Sequence, residues 1–390
     1  MTRRRVRSVF LALVALTGAG LALAVSVVSR PAAPAPIRAT LSVAGALAGG
    51  DDAGFAHALR PRPLAFPPDH GPHPAFRTEW WYYTGNLTAA DGLRFGFQLT
   101  FFRMALTAAP VAGDSARRAS QVYMAHFALT DVAGRRFHAF ERIDRDALGL
   151  AGATTEPFRV WVDDWSAAAP GPAASPVRLR AADGDVAIDL VLRSQKGVVL
   201  EGEQGLSRKG PEPGNASYYY SLTRLATRGV VTVGAHAYPV SGSSWMDREW
   251  STSALGPDEV GWDWFALQLA DGRDLMFYRL RRRDGSADRF SAGTLVLGDG
   301  STRPLARDDV ELAALGVWRS AATGVVYPSG WRIRIPHARL ELDLHPSLPD
   351  QELDLGVRYW EGAVDVSGSG AGQPIAGVGY VELTGYGASR

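Results

Sequence analysis

The chain has 390 residues, of which 46% are hydrophobic, and this length suits two domains of ordinary size. Its formal charge of +1 argues against a nucleic-acid-binding protein. It contains no cysteine, which excludes disulfides, thiolate metal sites and a cysteine nucleophile. The 43 glycines, the 24 prolines and the 10% of aromatic residues favour turns and strands over long helices.

The first 30 residues form a predicted targeting segment. Four arginines among residues 3–7 precede an uncharged apolar run over residues 9–28. This order is typical of a signal peptide, yet the run is also long enough to span a bilayer. A cleaved signal and an N-terminal membrane anchor both remain open. In either case we expect the body of the chain to be exported, periplasmic or extracellular, and to meet a membrane only through this segment.

The exported body begins with a predicted Ala/Pro-rich linker over residues 31–63 and then becomes rich in period-two patterns. Alternation of apolar and polar residues predicts half-buried strands, and Asp-Gly pairs favour tight hairpin turns. The alternating segments include residues 93–101, 186–193 and 339–344, and the Asp-Gly pairs begin at Asp91, Asp183, Asp271, Asp284 and Asp299. Many short antiparallel strands predict sandwiches or barrels, which we divide into residues 64–250 and 251–390.

The densest cluster of chemically active side chains lies in residues 69–87. Glu79 precedes Trp80 and Trp81, and a carboxyl buried among aromatic rings can act as a general acid. The alternative is a Glu paired to an arginine inside a barrel. His70 and His73 are separated by Gly-Pro and no third ligand is marked by spacing, so we expect no metal and no cofactor.

A second cluster is the string SSWMDREW over residues 243–250. Alternation places Asp247 and Glu249 on one face of a strand with Trp245, and Arg248 on the other face with Trp250. The chain has 11 tryptophans, and Trp262 and Trp264 again flank an acid, Asp263; a third cluster contains Tyr219. These clusters predict a deep aromatic pocket for a small molecule, with plain barrel packing as the alternative.

Motifs of several enzyme classes are absent from the sequence. It has no G-x-S-x-G elbow, no H-E-x-x-H, no P-loop and no strand–turn–helix G-x-G-x-x-G. The sequence therefore gives no support to a serine hydrolase, a zincin or a nucleotide-binding enzyme.

Six strings in order resemble the AttH-like family. They are FRTEWWYYTGNL (76–87), YMAHFALTD (123–131), the stretch 196–225, SSWMDREWSTS (243–253), GWDWFALQLADGRDLMFYRLR (261–281) and the segment 359–386. The family comprises secreted relatives of carotenoid 1,2-hydratase, often described as predicted hydrolases. The resemblance implies an all-β fold of two lipocalin-like antiparallel β-barrels packed side by side. It also implies an apolar, polyene-like ligand, since members of the wider group hydrate acyclic carotenoids and fungal members promote pericyclic ring closures.

The resemblance also suggests which residues belong to the site. In the hydratase pattern, Trp250 matches the Trp of a His-x-Trp pair, with Arg248 at the His position. Tyr278 matches the Tyr of a Tyr-x-Asp pair, with Leu280 at the Asp position. Arginine does not donate a proton near neutral pH, so the catalytic candidates are Asp247, Glu249, Glu79 and Tyr278. The ligand-binding candidates are Trp80, Trp81, Tyr83, Tyr219, Trp245, Arg248, Trp250, Trp262 and Trp264.

Three functions stay open from the sequence. The first is a binding module for an isoprenoid, carotenoid, lipid or polyketide-like molecule. The second is a hydratase or isomerase–cyclase that protonates such a ligand with a desolvated carboxyl. The third is an accessory component of an export system, with a transporter permease as its partner. A carboxyl that lines the pocket without a bound arginine would favour the enzyme.

Overall fold

The computed structural model describes residues 41–42 (backbone only), 52–108, 119–171, 175–253, 255–256 and 258–387. The predicted targeting segment, residues 1–30, and most of the predicted linker lie outside the described residues. In the part of the chain that is described, no helix is long and apolar enough to cross a membrane. Residues Ala39–Arg390 form one compact unit.

The first large sheet follows the chain from residue 78 to residue 251. Its strand order is β5-β4-β3-β2-β14-β13-β10-β9-β8-β7-β6, with β11 and β12 also paired to β13. Its last strand therefore pairs with its first, and its two edges are consecutive in the chain. The strands are β2 (Thr78–Ala89), β3 (Arg94–Ala105), β4 (Gln121–Asp131), β5 (Arg136–Arg145), β6 (Ala151–Thr154), β7 (Arg159–Val162), β8 (Trp165–Ala168), β9 (Val177–Asp183), β10 (Val186–Ser194), β11 (Val199–Leu200), β12 (Leu206–Arg208), β13 (Ala216–Val233) and β14 (His236–Ser251).

The second large sheet repeats this arrangement. Its strand order is β18-β17-β16-β15-β26-β25-β23-β22-β19, with β1 and β24 also paired to β25, while β20 and β21 pair separately. The strands are β1 (Leu41–Ser42), β15 (Glu259–Leu269), β16 (Asp274–Arg282), β17 (Ala292–Val296), β18 (Thr302–Ala306), β19 (Glu311–Ala314), β20 (Val317–Arg319), β21 (Val326–Pro328), β22 (Trp331–Ile335), β23 (Leu340–Pro346), β24 (Glu352–Asp354), β25 (Val357–Gly370) and β26 (Gln373–Thr384). Short 3₁₀ turns occupy Pro68–His70, Arg307–Asp309 and Pro336–Ala338.

The turns follow from the Asp-Gly pairs. In all five pairs the glycine has positive φ, from +54° to +88°. A glycine adopts this conformation without the steric cost that a Cβ would add. Gly272, for example, turns the chain between β15 and β16, whose register runs from Gln268–Asp274 to Glu259–Arg282.

Four clusters of buried apolar side chains lie among the described residues. Two of them fill the interiors of the first and second sheets. The other two lie between the sheets, one with Tyr82, Trp245 and Trp264 and the other with Ala128 and Tyr359. The predicted all-β fold of two lipocalin-like barrels is confirmed. The predicted domain bounds, 64–250 and 251–390, stay a prediction, since the packing between barrels holds Ala39–Arg390 in one compact unit.

Candidate functional site

A cavity lies at the seam between the two barrels. It contains about 820 Å³ of unfilled space, including the part that opens to solvent. Strands β2, β3, β13 and β14 supply its lining from the first barrel, and β15, β16, β25 and β26 supply it from the second. Most of the exposed lining is apolar, as is usual for a small-molecule site.

The predicted site residues divide between this cavity and the first barrel's interior. Asp247, Glu249 and Tyr278 line the cavity, as do the predicted ligand-binding residues Trp80, Tyr219, Trp262 and Trp264. Trp245 lies directly behind the lining and packs edge-on against Trp264. Trp81, Tyr83, Trp250 and Arg248 belong instead to the interior of the first barrel. Strand alternation explains the division, because neighbouring residues of β2 and β14 point to opposite faces.

Asp247 is the acid at the centre of the first barrel's wall. Its Oδ1 accepts hydrogen bonds from Ser221 Oγ (2.6 Å) and Trp245 Nε1 (2.7 Å), and its Oδ2 accepts one from Tyr219 Oη (2.5 Å). Burial raises the pKa of Asp247 to about 7 despite these three donors, and the charge of Glu249 adds to the rise. The carboxyl is therefore poised to exchange a proton near neutral pH.

Glu382 is the acid of the opposite wall. Trp262 Nε1 donates to its Oε1 (2.8 Å), and part of its surface stays open to the cavity. Burial raises the pKa of Glu382 to about 8, with further contributions from the charges of Asp247 and Glu249. Among the described residues, no arginine or lysine forms an ion pair with Asp247 or Glu382. The cavity thus presents one protonated and one half-protonated carboxyl at neutral pH.

Further acids lie just behind the lining. Glu201 Oε1 lies 2.9 Å from Ser221 Oγ, and its Oε2 accepts a hydrogen bond from Thr294 Oγ1 (2.5 Å); burial raises the pKa of Glu201 to about 8. Burial and the charge of Glu382 raise the pKa of Glu361 well above its ordinary value. The seam between the barrels is therefore rich in carboxyls that are neutral in the folded state.

Glu249 differs from these acids because it has a cationic partner. Lys209 Nζ lies 3.3 Å from Glu249 Oε1, and Ser217 Oγ donates to the same oxygen. Burial alone would lower the pKa of Lys209, but the charge of Glu249 raises it. The ammonium also lies 4.0 Å from the centre of the Tyr278 ring. One end of the cavity is thus a charged Lys–Glu pair beside a phenol.

The prediction that Glu79 is a pocket acid is not supported by its position. Glu79 faces the first barrel's interior, where Arg103 and Arg248 form ion pairs with its two carboxylate oxygens. The backbone N–H of His73 donates to it as well (3.0 Å). The two guanidinium charges hold the pKa of Glu79 well below its usual range, although burial alone would raise it. A carboxylate in this state has no proton to donate, so Glu79 is left out of the site.

Among the cavity residues that sequence reasoning missed are Glu382, Lys209 and Tyr359. Lys209 had a usable signal, since it is one of only two lysines in the sequence. Glu382 sits in the alternating segment VEL of the last strand, where an acid is ordinarily assigned to solvent. Only the contact between the two barrels turns that face of the strand into a cavity wall.

The histidines of residues 69–87 serve the first barrel. His70 Nδ1 contacts Tyr220 Oη (2.6 Å), and the ring of His73 stacks on Trp250 at 3.8 Å. Within the described residues, no group of three or more His, Asp or Glu side chains is arranged to hold a metal ion.

The sequence and the fold of this chain are similar to those of known proteins. Residues 57–386 match the model of the AttH-like family. The chain belongs to the AttH-like family. The crystal structure of a candidate AttH from Nitrosomonas europaea is 37% identical, and the alignment covers 85% of this AttH-like chain and 100% of the other, with a TM-score of 0.75.

Two further solved structures share the fold at low sequence identity. Kievitone hydratase from Nectria haematococca is 16% identical over 87% of this chain and 98% of its own, with a TM-score of 0.65. CghA, solved with Sch210972, is 15% identical over 87% of this chain and 98% of its own, with a TM-score of 0.51. None of the curated proteins matches the sequence significantly.

Proposed function

We propose that this AttH-like protein is an enzyme of the hydratase or isomerase–cyclase type that protonates a carbon–carbon double bond of an apolar small molecule. One observation carries the proposal. Asp247 and Glu382 line an aromatic cavity and form no ion pair with any lysine or arginine that the structure describes, and burial raises the pKa values of their carboxyls to about 7 and about 8. A general acid is most effective when its pKa lies near the working pH.

The aromatic walls of the cavity can stabilise the positive charge that protonation of an alkene creates. Transfer of the carboxyl proton to an alkene carbon leaves a carbocation on the neighbouring carbon. The rings of Trp80, Trp262 and Trp264 line the cavity and can stabilise that cation through their π faces. Addition of water then gives an alcohol, loss of a different proton gives an isomer, and attack by a second double bond closes a ring.

The Lys209–Glu249 pair supplies the polar end of the cavity. An ion pair in an apolar site is stable only when its hydrogen bonds are satisfied, and Ser217 and Ser207 provide them here. Tyr278 Oη continues this network through Ser207 Oγ (2.9 Å). We propose that these groups orient a ligand whose polar end faces Tyr278 and whose apolar body lies along the tryptophans.

The first test is to identify what the protein binds and whether it changes it. Native mass spectrometry of protein purified from its own host, with organic extraction, should release an apolar unsaturated molecule. The protein is then incubated in ¹⁸O-labelled water with two probes, lycopene and kievitone. We expect a product that contains one labelled oxygen, at a rate that falls about a hundredfold or more in D247N or E382Q.

A binding module without turnover is the second candidate. It is favoured by the departures from the hydratase pattern, in which Arg248 and Leu280 occupy the positions of the acid–base residues. Uptake of a probe with unchanged recovery in both wild-type protein and the D247N variant would support this candidate and contradict the enzyme.

Export is a separate proposal that depends on residues 1–30 alone. We propose that the folded body works outside the cytoplasm, either released or tethered by this segment. Fractionation of cells that express the full chain tests this, and recovery of the protein in the cytoplasmic fraction with residues 1–30 intact would contradict it. Association with a transporter permease is proposed only as an accessory role.

A further inference from the structure

Three side chains connect the cavity to the molecular surface across the seam. Tyr359 on β25 of the second barrel lines the cavity. Its Oη lies 2.7 Å from Nδ1 of His126, which is fully buried on β4 of the first barrel. His126 Nε2 lies 3.0 Å from Glu141 Oε2 on β5. The Glu141 side chain is 18% exposed, so the row runs without a break from cavity to solvent.

The charges define which atom carries each proton. Burial alone would raise the pKa of Glu141, but the hydrogen bond from His126 and the one from the N–H of Gly356 lower it. An ionised Glu141 accepts the Nε2–H of His126, which leaves Nδ1 of the neutral ring as an acceptor. Tyr359 O–H therefore donates to Nδ1. Gln98 Nε2 donates to the same phenol oxygen at 3.3 Å.

Tyr359 is suited to pass a proton without becoming a stable phenolate. Burial raises its pKa well above the ordinary value, with additions from the charges of Glu361 and Glu382. The phenol can accept a proton from a cavity molecule only while its own proton moves to His126. The imidazolium formed in this way is stabilised by the charge of Glu141. The same logic orients a catalytic histidine in many hydrolases.

The row and Asp247 line the same cavity from different strands. Gln98 and Thr100 of β3 line the cavity beside Tyr359. Asp247 of β14 is paired with Tyr82 of β2, which is paired with Thr100 of β3, so a single strand separates β14 from β3. An acid and a base that line one cavity from neighbouring strands can act on the two carbons of one double bond.

We propose that Tyr359 is the catalytic base of a hydration reaction, with His126 and Glu141 as its positioning residues; this deepens the function proposed above and rests on it. The acid donates its proton to one alkene carbon, and water forms a C–O bond to the other. The water O–H bond breaks, its proton goes to Tyr359 Oη, and the Tyr359 proton goes to His126 Nδ1, where Glu141 stabilises the imidazolium. After the product leaves, His126 Nδ1 returns this proton to Tyr359 Oη, and the Tyr359 proton passes through cavity water to the ionised acid. Both groups are then reset, so the net reaction is alkene plus water to alcohol.

The first experiment needs no substrate. The full chain is labelled with ¹⁵N-histidine, and the His126 signals, one pair among eight histidines, are assigned by their loss in H126Q. At neutral pH we expect a neutral ring with Nε2 protonated and Nδ1 bare. A ring protonated at Nδ1, or at both nitrogens, could not accept the phenol proton. Either result would overturn the relay whether or not the protein is an enzyme.

The second experiment measures turnover of the two probes in labelled water, with probe binding followed by tryptophan fluorescence. We expect Y359F and H126Q to lower kcat about a hundredfold or more with little change in probe affinity. The matched control is Y380F, which removes another buried phenol of the seam outside this row and should stay within about twofold of wild type. Equal losses of kcat in Y359F and Y380F would mean that Tyr359, His126 and Glu141 form a structural contact only, and would overturn the proposal.

Glu141 is tested by a pH profile. The groups that face His126 are Glu141 from β5, Tyr359 from β25 and the ring of Phe102 from β3. Loss of the negative charge in E141Q destabilises the imidazolium, so the acid limb of the kcat profile should move to lower pH. If the acid limb of the E141Q profile lies at the same pH as that of wild type, the positioning role of Glu141 is contradicted. Wild-type protein that converts neither probe would contradict the proposed function. In that case the ¹⁵N measurement of the His126 tautomer would still show whether the proton relay is possible.

Discussion

The buried carboxyls of this protein differ in protonation state because their neighbours differ in charge. Glu79 is ionised because Arg103 and Arg248 contact it. Glu249 is paired with a lysine. In the described part of the chain, the donors to Asp247 and Glu382 are all neutral, so burial is the main influence on the pKa values of these two acids. Residue type and hydrophobic surroundings therefore do not identify a general acid, whereas the presence or absence of a cation within contact distance does.

Glu79→Gln and Glu382→Gln make the same chemical change with opposite expected results. Loss of the Glu79 charge leaves two buried guanidinium groups without their partner, which costs about 3–5 kcal/mol of unfolding free energy. Glu382 is already neutral at neutral pH, so its amide should cost about 1 kcal/mol or less. Urea denaturation of both variants measures the difference. Equal losses would mean that Glu382 is charged in the folded protein.

Glu249→Gln leaves Lys209 without its carboxylate. Because the ammonium is largely buried, we expect a loss of about 3 kcal/mol and a clearly lower melting temperature. The double variant E249Q/K209M removes both charges and should recover part of the loss, since no lone charge remains. A melting temperature of E249Q equal to that of wild type would restore Glu249 as a free pocket acid.

Strand β14 shows what a sequence pattern can and cannot predict. Alternation correctly places Asp247 and Glu249 on one face and Arg248 and Trp250 on the other. It does not reveal which face is the barrel interior, because both faces of β14 are buried over residues 244–251. The missing information is the packing of a second barrel against the first, which no local pattern of β14 contains.

Contact between β3 and β25 sets the spacing of the barrels. A Cβ placed on Gly96 would lie 2.6 Å from the Cβ of Ala363 in the other barrel. We therefore expect Gly96→Ala to force the strands apart and to cost about 1–3 kcal/mol. The exchange G96A/A363G returns the lost space and should restore most of the stability, as measured by thermal melting. An additive or larger loss in the double variant would contradict this packing.

The overall architecture was more accessible from the sequence than the site was. Period-two segments and the five Asp-Gly pairs predict an antiparallel all-β protein, because both features act locally. The resemblance to the AttH-like family supplied the two-barrel arrangement. The cavity depends on residues more than a hundred positions apart, such as Asp247 and Glu382, and Tyr359 and His126. Their proximity follows from long-range packing, so neither spacing nor alternation could predict it.

A cluster of ion pairs centred on Asp274 joins the two barrels. Asp274 of the second barrel accepts from Lys196 Nζ (2.7 Å) and from Arg224 Nη2 (2.6 Å), both of the first barrel. Lys196 also donates to two backbone carbonyls of the second barrel. Both lysines of the sequence thus lie at the seam, one in this cluster and one in the cavity. Such buried pairs fix the relative position of the walls and so the geometry of the site.

The stability of the molecule should depend on pH in a direction set by the seam. The pKa values of Asp247, Glu201 and Glu382 are raised in the folded state, so folding holds extra protons that are lost as pH rises. We expect the unfolding free energy to fall between pH 6.5 and 8, on the order of 1–2 kcal/mol per carboxyl. Burial, aided by the charge of Arg248, lowers the pKa of His70 to about 4. This shift makes the unfolding free energy rise with pH, but only below pH 6.5. Urea titrations across this range test the sign, with E201Q/E382Q as the flatter control, and a rise in stability towards pH 8 would contradict the account.

The protonated carboxyls of the cavity are the central claim, and infrared spectroscopy observes them directly. A protonated carboxyl has a C=O stretch that is separate from the carboxylate bands, and a step from pH 6.5 to 9 should reduce this band as Asp247 and Glu382 ionise. The account predicts this loss in wild-type protein and a smaller loss in each of D247N and E382Q, with E79Q unchanged from wild type. Absence of the protonated band at pH 6.5, or an equal band in all three variants, would show that Asp247 and Glu382 are ionised and cannot serve as general acids.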